Sequence, residues 1–147
     1  MALHDPLVVE HEALRKGLAE VQRAAAQNSR RLKKLFPSFR ERLSQHIHRE
    51  DSLYYRSVNE GTPIQDRELL HALRNDHAAA IFTLESLSIR LGKEGLTEEW
   101  KKRFNAMARM LQEHFERKEQ KLFPAVERLL SPAQKVSLRK ALKKAAG

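Results

Sequence analysis

The sequence predicts an all-α protein, an antiparallel up-down four-helix bundle followed by a short extra C-terminal helix. Apolar residues recur at spacings of three and four along four long stretches, and no stretch alternates in the manner of a β-strand. Only five glycines and five prolines interrupt the 147 residues, and most of them fall between the periodic stretches. This length suits one domain. We therefore expect a single domain over residues 1–147, with the bundle at about 6–130 and a basic helix at about 132–146.

The ends of the predicted helices carry recognisable signals. A hydroxyl or acidic residue at the N-cap accepts a hydrogen bond from a backbone amide, and proline or glycine marks where a helix begins or ends. One start is ambiguous, because Ser38 could cap the second helix or Pro37 could kink a helix that begins near Ser29. The other signals, in chain order, are Asp5-Pro6, Gly61-Thr62-Pro63, the break from Gly92 to Gly95, Thr97-Glu98-Glu99, and the capping box Ser131-Pro132-Ala133-Gln134.

Each of the four apolar stripes contains one histidine, and this pattern is the first indication of function. A single histidine in such a stripe is usually a core residue with a local hydrogen-bond partner. Four of them in one small core are costly, because every buried imidazole needs partners for its nitrogen atoms. A shared metal centre would satisfy several imidazoles at once. The four residues are His11, His46, His77 and His114.

A carboxylate accompanies the histidine of the second stripe. Glu50 follows His46 by four residues, so the two side chains lie about 40° apart on the same helix face. Glu50 also stands among apolar residues, where a solvated glutamate is not expected. The alternative is a surface acid paired with Arg42 or Arg49.

The chain contains an internal repeat around its second and fourth stripe histidines. Residues 46–55 align with residues 114–123, and Glu10-His11 resembles Asp76-His77. The repeat predicts two helical hairpins of one plan, joined near Gly61, which would place two sets of ligands face to face. The matched pairs in the longer segment are His46 with His114, Arg49 with Arg117, Asp51 with Glu119, and Tyr55 with Phe123.

These motifs, with Leu122-Phe123-Pro124 after the last of the four histidines, resemble the hemerythrin-like, HHE cation-binding family over about His11 to Val126. The resemblance implies a four-helix bundle around a non-haem centre of two iron ions, oxo- or hydroxo-bridged, with Glu50 bridging them. It also implies a protein that binds or senses dioxygen or nitric oxide, or senses iron or redox state. The metal ligands expected from the resemblance are His11, His46, Glu50, His77, His114 and Glu119.

Two positions depart from the patterns of this family. Many members have a glutamate four residues after the last ligand histidine, where this chain has Lys118. Glu119 instead matches the carboxylate that dioxygen carriers place five residues after it, although it lies about 140° around the helix from His114. Those carriers also have a further histidine at the position of Leu73. Lys118 could extend outward, stay neutral, hydrogen-bond a bound anion, or replace a second metal ion.

Two other functions stay open on the sequence alone. The same centre could belong to a di-iron enzyme of oxidative or nitrosative stress defence or of iron–sulfur repair. A mononuclear or metal-free module could instead bind a partner or nucleic acid through a basic surface, because 28 basic and 19 acidic residues leave a net charge of +9. The basic residues are spread along the chain, so a small diatomic or anionic ligand at the metal is the favoured partner, and nucleic acid the less favoured one.

Composition excludes several other classes of protein. The chain has no cysteine, which rules out a disulfide scaffold, a thiolate zinc site and a cysteine nucleophile. No apolar run approaches the roughly 18 residues of a membrane-spanning helix, and the N-terminus lacks the pattern of a secretory signal. We therefore expect a cytoplasmic protein without a membrane partner. His4, His48 and His71 are expected at the surface. The large aromatic residues expected in the core are Trp100, Phe104, Phe115 and Phe123.

Overall fold

The computed structural model of the protein describes residues 3–54 and 64–146, and both ranges are largely helical. No β-strand occurs in them, which confirms the all-α class. The Gly61-Thr62-Pro63 break lies outside the described residues. The α-helices are α1 (Asp5–Ala26), α2 (Leu32–Arg49), α3 (Ile64–Glu94), α4 (Glu98–Arg117), α5 (Phe123–Leu129) and α6 (Pro132–Ala146).

Two π-helical turns extend the long helices. Residues Glu50–Tyr54 continue α2, and residues Lys118–Leu122 connect α4 to α5. A π-helical turn takes an extra residue into its hydrogen-bonded ring, and such turns are frequent at functional sites. Each turn begins four residues after a histidine of the internal repeat. The two halves of the repeat therefore share this local backbone geometry.

The predicted starts of α1 and α4 can be compared directly with the structure. Thr97 caps α4 as predicted, because its Oγ1 accepts a hydrogen bond from the backbone N–H of Trp100 at 3.1 Å. The predicted cap at Asp5 is wrong. His4 occupies the N-cap of α1, but its side chain does not cap the first backbone amides. Asp5 is already helical, with Pro6 one residue further into the first turn.

The starts of α2 and α6 can also be compared with the sequence signals. α2 begins at Leu32 and contains Pro37 within the helix, so a helix that starts before the proline is confirmed and a cap at Ser38 is wrong. At α6, Ser131 Oγ accepts a hydrogen bond from the N–H of Gln134 at 3.2 Å, and Gln134 Oε1 accepts one from the N–H of Ser131 at 2.8 Å. This reciprocal pair is the predicted capping box.

The long helices contact one another along their apolar stripes. α1 and α3 each pack on α2 and on α4. Gly17 lets α1 approach α2 closely, since a Cβ there would lie 3.0 Å from the Phe39 ring. The Nε1–H of Trp100 in α4 donates a hydrogen bond to the Leu87 carbonyl oxygen of α3 at 2.9 Å. These contacts support a helical bundle, and the antiparallel four-helix arrangement stays a prediction. The aromatic residues buried as predicted are Trp100, Phe104, Phe115 and Phe123.

Two clusters of buried apolar side chains fill the interior, and the four histidines lie between them. In α1, His11 falls between Leu7 of the smaller cluster and Leu14 of the larger one. The same order recurs around the histidines of α3 and α4, and α6 contributes Leu138 to the smaller cluster. A polar layer is therefore enclosed by apolar side chains on two sides. Within the described ranges, no helix is long and apolar enough to span a bilayer.

Candidate metal centre

Buried polar side chains meet in the layer between the two apolar clusters. The four histidines and Glu50 are each at most 2% exposed. They form two groups that share one carboxylate, and within each group the possible ligand atoms lie within 4.8 Å of one another. The first group is His11, His46 and Glu50, and the second is Glu50, His77 and His114.

Glu50 connects the two groups. Its Oε1 lies 2.6 Å from Nε2 of His46 and 3.5 Å from Nε2 of His11. Its Oε2 lies 3.5 Å from Nε2 of His77. Each oxygen therefore faces a different group, which is the placement that a carboxylate bridging two cations requires. Because Glu50 is buried, the alternative of a surface acid paired with an arginine is wrong.

Each histidine turns its other ring nitrogen, Nδ1, toward an outer carboxylate. A carboxylate at Nδ1 holds the ring proton there and leaves the Nε2 lone pair pointing inward. The hydrogen-bonded partners of His11, His77 and His114 thus assign the tautomer that metal ligation needs. The contact of His46 with Glu10 is an ion pair without a hydrogen bond. The pairs and their distances are His11 with Glu119 (2.9 Å), His46 with Glu10 (3.5 Å), His77 with Asp51 (3.0 Å), and His114 with Asp76 (3.2 Å).

Arginine side chains hold three of these outer carboxylates. A charge-assisted hydrogen bond to arginine fixes the carboxylate, and the carboxylate in turn fixes the imidazole ring. Asp51 instead borders a surface groove of about 390 Å³ that His71 and Arg74 also line. The arginine pairs are Arg15 with Glu119 (2.8 Å), Arg49 with Glu10 (2.9 Å), and Arg117 with Asp76 (2.8 Å).

The inward nitrogen atoms fit a cation better than they fit one another. Nε2 of His77 lies 2.9 Å from Nε2 of His114, a hydrogen bond that requires a proton on one of the two atoms. In the tautomers with both protons on Nδ1, facing the outer carboxylates, the two Nε2 lone pairs point at each other. Among the described residues, Nε2 of His11 and both ring nitrogens of His46 have no hydrogen-bond partner. The contacts of these nitrogen atoms with Glu50 and Glu10 are ion pairs of 2.6–3.5 Å. Such buried atoms cost free energy, and a metal ion would remove that cost.

Burial keeps two of the imidazoles neutral. It lowers the pKa of His11 and of His114 below the ordinary value for histidine, although Glu50 opposes the shift in both. Burial also acts to lower the pKa of His46, but there Glu50 and Glu10 outweigh it and the pKa is raised. A neutral imidazole is the form that binds a metal ion.

Lys118 brings a positive charge into the same layer. Its side chain is fully buried, and its Nζ donates hydrogen bonds to both oxygens of Glu50 at 2.7 Å. Burial lowers the pKa of Lys118, while Glu50 opposes that shift. Burial also acts to raise the pKa of Glu50, but Lys118 and His46 outweigh it and hold the pKa well below its ordinary value. Lys118 therefore does not extend outward. Its ammonium group provides a positive charge that binds the Glu50 carboxylate.

The sixth predicted ligand, Glu119, lies outside both groups. Its Oε2 accepts a hydrogen bond from Nδ1 of His11 at 2.9 Å, on the outer side of that ring, and its carboxylate also binds Arg15. Its angular offset from His114 directs the side chain toward α1. Leu73 is fully buried in the smaller apolar cluster.

Two of the three histidines expected at the surface, His48 and His71, are exposed. The third expectation is wrong, because His4 is only 3% exposed. Its imidazole stacks on the Phe123 ring, with centroids 4.1 Å apart and planes at 5°, and its Nδ1 lies 3.4 Å from Glu127 Oε1. The covering residues come from α5, at the other end of the chain, so no local pattern near His4 could indicate its burial.

Sequence reasoning missed the outer role of Glu10, Asp51 and Asp76. The signal was present in the internal repeat, which matches Glu10 with Asp76 and Asp51 with Glu119. The repeat alone could not indicate which histidine each carboxylate faces, because Asp51 and Glu119 contact histidines of the opposite half.

A helical protein with two buried groups of imidazole and carboxylate is a candidate metal-binding protein. The family model of the hemerythrin HHE cation-binding domain matches residues 3–126, and the chain belongs to this family. The matched range contains both groups. No curated protein and no solved structure matches the chain.

Proposed function

We propose that the chain binds two iron ions, one in each group, and uses them to bind a small diatomic or anionic ligand. The sharing of Glu50 between the two groups is the observation that carries this proposal. Imidazole with carboxylate suits iron, and it also suits zinc, manganese and nickel. The choice of iron rests on the resemblance to the hemerythrins.

Each ion would have two imidazoles and one oxygen of Glu50 as protein ligands. His11 and His46 would hold one ion, and His77 and His114 the other. Three protein ligands leave coordination positions open, as a centre that binds an exogenous ligand requires. Iron, when bound, supplies a redox-active centre with affinity for dioxygen and nitric oxide.

The surrounding residues would orient the ligands and exclude water. We assign Glu119 to orienting His11 instead of binding metal, because its carboxylate faces Nδ1 and is held by Arg15. Outer carboxylates of this kind raise the basicity of a ligand imidazole and fix its ring. The apolar clusters on both sides keep the layer dry and so strengthen every charge interaction within it.

The charge of the ligand set favours binding or sensing over strong oxidation. Four imidazoles and one carboxylate carry less negative charge than a carboxylate-rich centre, which favours the ferrous state. Rapid hydroxylation of substrates with reductant and dioxygen would contradict this assignment. A cytoplasmic location stays a prediction from the sequence.

Metal content and absorption spectra test the proposal. Protein purified without chelator is expected to carry about two irons per chain and to develop a visible band with azide, which shows an open coordination position. One iron would favour a mononuclear centre with Lys118 in place of the second ion. No metal after anaerobic ferrous loading would reject the proposal and favour a module that acts through its basic surface.

A further inference from the structure

The second half of the repeat has an amine where the first half has a carboxylate. Glu50 and Lys118 each begin a π-helical turn, each follows a histidine by four residues, and each is buried. In both halves, an outer carboxylate faces the second histidine and binds an arginine three residues after that histidine. Lys118 therefore stands where a second bridging carboxylate would stand, with the opposite charge.

The proposed two-metal centre lacks negative charge at this position. Two divalent cations would share one carboxylate, while the Lys118 ammonium lies 2.7 Å from both oxygens of Glu50. In a dry interior, an ammonium and a divalent cation that compete for the same oxygens repel each other strongly. For two ions to bind, the amine must lose its positive charge or leave Glu50.

We propose that Lys118 is a carboxylation site, and that in the loaded protein its Nζ carries carbon dioxide as a carbamate that ligates both metal ions opposite Glu50. This inference rests on the proposed function. A C–N bond forms between Nζ and the carbon of carbon dioxide, and one C=O π bond becomes a carboxylate C–O bond. Two ammonium protons leave to solvent, and no electrons are gained or lost. The side-chain charge changes from +1 to −1.

The surroundings of Lys118 favour this product. Two bound metal ions would be the largest charges near Lys118. Their positive charge would stabilise an anionic carbamate at this position and destabilise the ammonium form of the lysine. Burial between apolar clusters would shield the carbamate from the water that otherwise releases carbon dioxide.

Carbon-13 NMR of the zinc-loaded full-length protein tests the modification itself. Zn²⁺ accepts the same imidazole and carboxylate ligands and has no unpaired electrons to broaden the spectrum. With ¹³C-bicarbonate, the wild type should show a protein-bound carbamate resonance that survives removal of free bicarbonate. Lys118→Met should lose this resonance. Lys121→Met, which removes an exposed lysine from the same π-helical turn, should keep it.

Metal counting provides a second readout that does not depend on the methionine variant folding. The wild type should bind about two Zn²⁺ per chain when it is loaded with bicarbonate present, and about one or fewer when it is loaded in buffer freed of carbon dioxide from the start. Lys118→Glu supplies a permanent carboxylate. It should retain about two Zn²⁺ in both buffers and show no carbamate resonance.

Three results would go against these expectations in different ways. About two Zn²⁺ in wild type loaded without carbon dioxide, and no carbamate resonance, would overturn the carboxylation and leave the two-metal function intact. A single Zn²⁺ in the wild type in both buffers, with about two in Lys118→Glu, would mean that Lys118 stays an ammonium in place of the second metal ion, and would also overturn it. No bound metal in either protein would reject the proposed function itself.

Discussion

The two halves of the candidate centre follow one plan and differ at its middle. In each half, a carboxylate one residue before the first histidine faces the second histidine of that half and binds an arginine. A carboxylate five residues after the second histidine faces the first histidine of the other half. The residues of the first half are Glu10, His11, His46, Arg49 and Asp51, and those of the second are Asp76, His77, His114, Arg117 and Glu119.

The position four residues after the second histidine breaks this plan, with Glu50 in one half and Lys118 in the other. These two residues contact each other in the middle of the layer. A smaller difference lies at Arg15, which binds Glu119, whereas the matching position of the second half holds Ile81. The repeated residues thus place the four imidazoles, while Glu50 in one half and Lys118 in the other set the charge between them.

The largest expected effect is the loss of metal when Glu50 is removed, because both groups share it. Glu50→Ala should weaken metal binding by more than about 100-fold, since even outer partners of metal ligands are worth about 10–100-fold. Glu50→Gln, which keeps the shape, should behave alike. His71→Ala, at an exposed position, serves as the matched control. Equal iron per chain in the Glu50 and His71 variants would remove the site assignment.

Lys118→Met removes the other partner of the ion pair between Glu50 and Lys118. In the metal-free protein this change leaves Glu50 buried without its cation and should cost about 3–5 kcal/mol of unfolding free energy. The double variant Glu50→Met with Lys118→Met should recover most of that loss, because it removes both charges. Urea denaturation of the two variants, with Lys121→Met as control, measures this. A double variant no more stable than Lys118→Met would contradict the ion pair.

The two halves also differ near their N-terminal ends, because His4 of the first half is matched by Leu70 of the second. Burial lowers the pKa of His4 to about 4, against the opposing effect of Glu127. The folded-state pKa lies below the unfolded value of 6.5, so the unfolded chain takes up the proton first and stability falls as pH drops from 6.5 toward 4.

Replacing His4 should remove this loss of stability in acid. The wild type is expected to lose up to about 3 kcal/mol more than His4→Phe over that pH range, because each unit of pKa shift corresponds to about 1.4 kcal/mol. Phenylalanine keeps a ring to stack on Phe123. Unfolding free energies at both ends of the range measure the difference, and the exposed His48→Phe should leave it unchanged. Parallel curves for wild type and His4→Phe would show that His4 does not titrate as described.

The smallest expected effect is the loss of zinc affinity when an outer carboxylate is replaced in one half or the other. Asp76→Asn should weaken zinc binding by about tenfold or more, the low end of the range for such partners. Glu10→Gln should weaken it less, because Glu10 lies 3.5 Å from its histidine and Asp76 lies 3.2 Å from its own. Competition with a chelator of known affinity ranks the two variants. A larger loss in Glu10→Gln would mean that the distances in this structure do not set the contribution of these carboxylates.

Much of the fold and the inner part of the centre could be predicted because both depend on helical period. The spacing of three and four identified the buried stripes, and it placed His46 and Glu50 on one face. The outer contacts could not be predicted, because the direction of Glu119 toward His11 depends on how α1 and α4 pack. The burial of His4 depends in the same way on α5.

The environment of Lys118 could not be predicted from the sequence. The sequence left open whether Lys118 extends outward, stays neutral, binds an anion or replaces a metal ion, and it did not indicate which residue would accept its charge. The contact with Glu50 joins residues from the two halves of the repeat, and only the packed structure shows it.

We expect each half of the repeat to hold one metal ion, with Glu50 joining the two. An anomalous difference map from crystals of the iron-loaded protein would show where the ions bind. We predict two peaks, one beside His11 and His46 and the other beside His77 and His114, with the Glu50 carboxylate between them. A single peak, or peaks away from these imidazoles, would contradict the account.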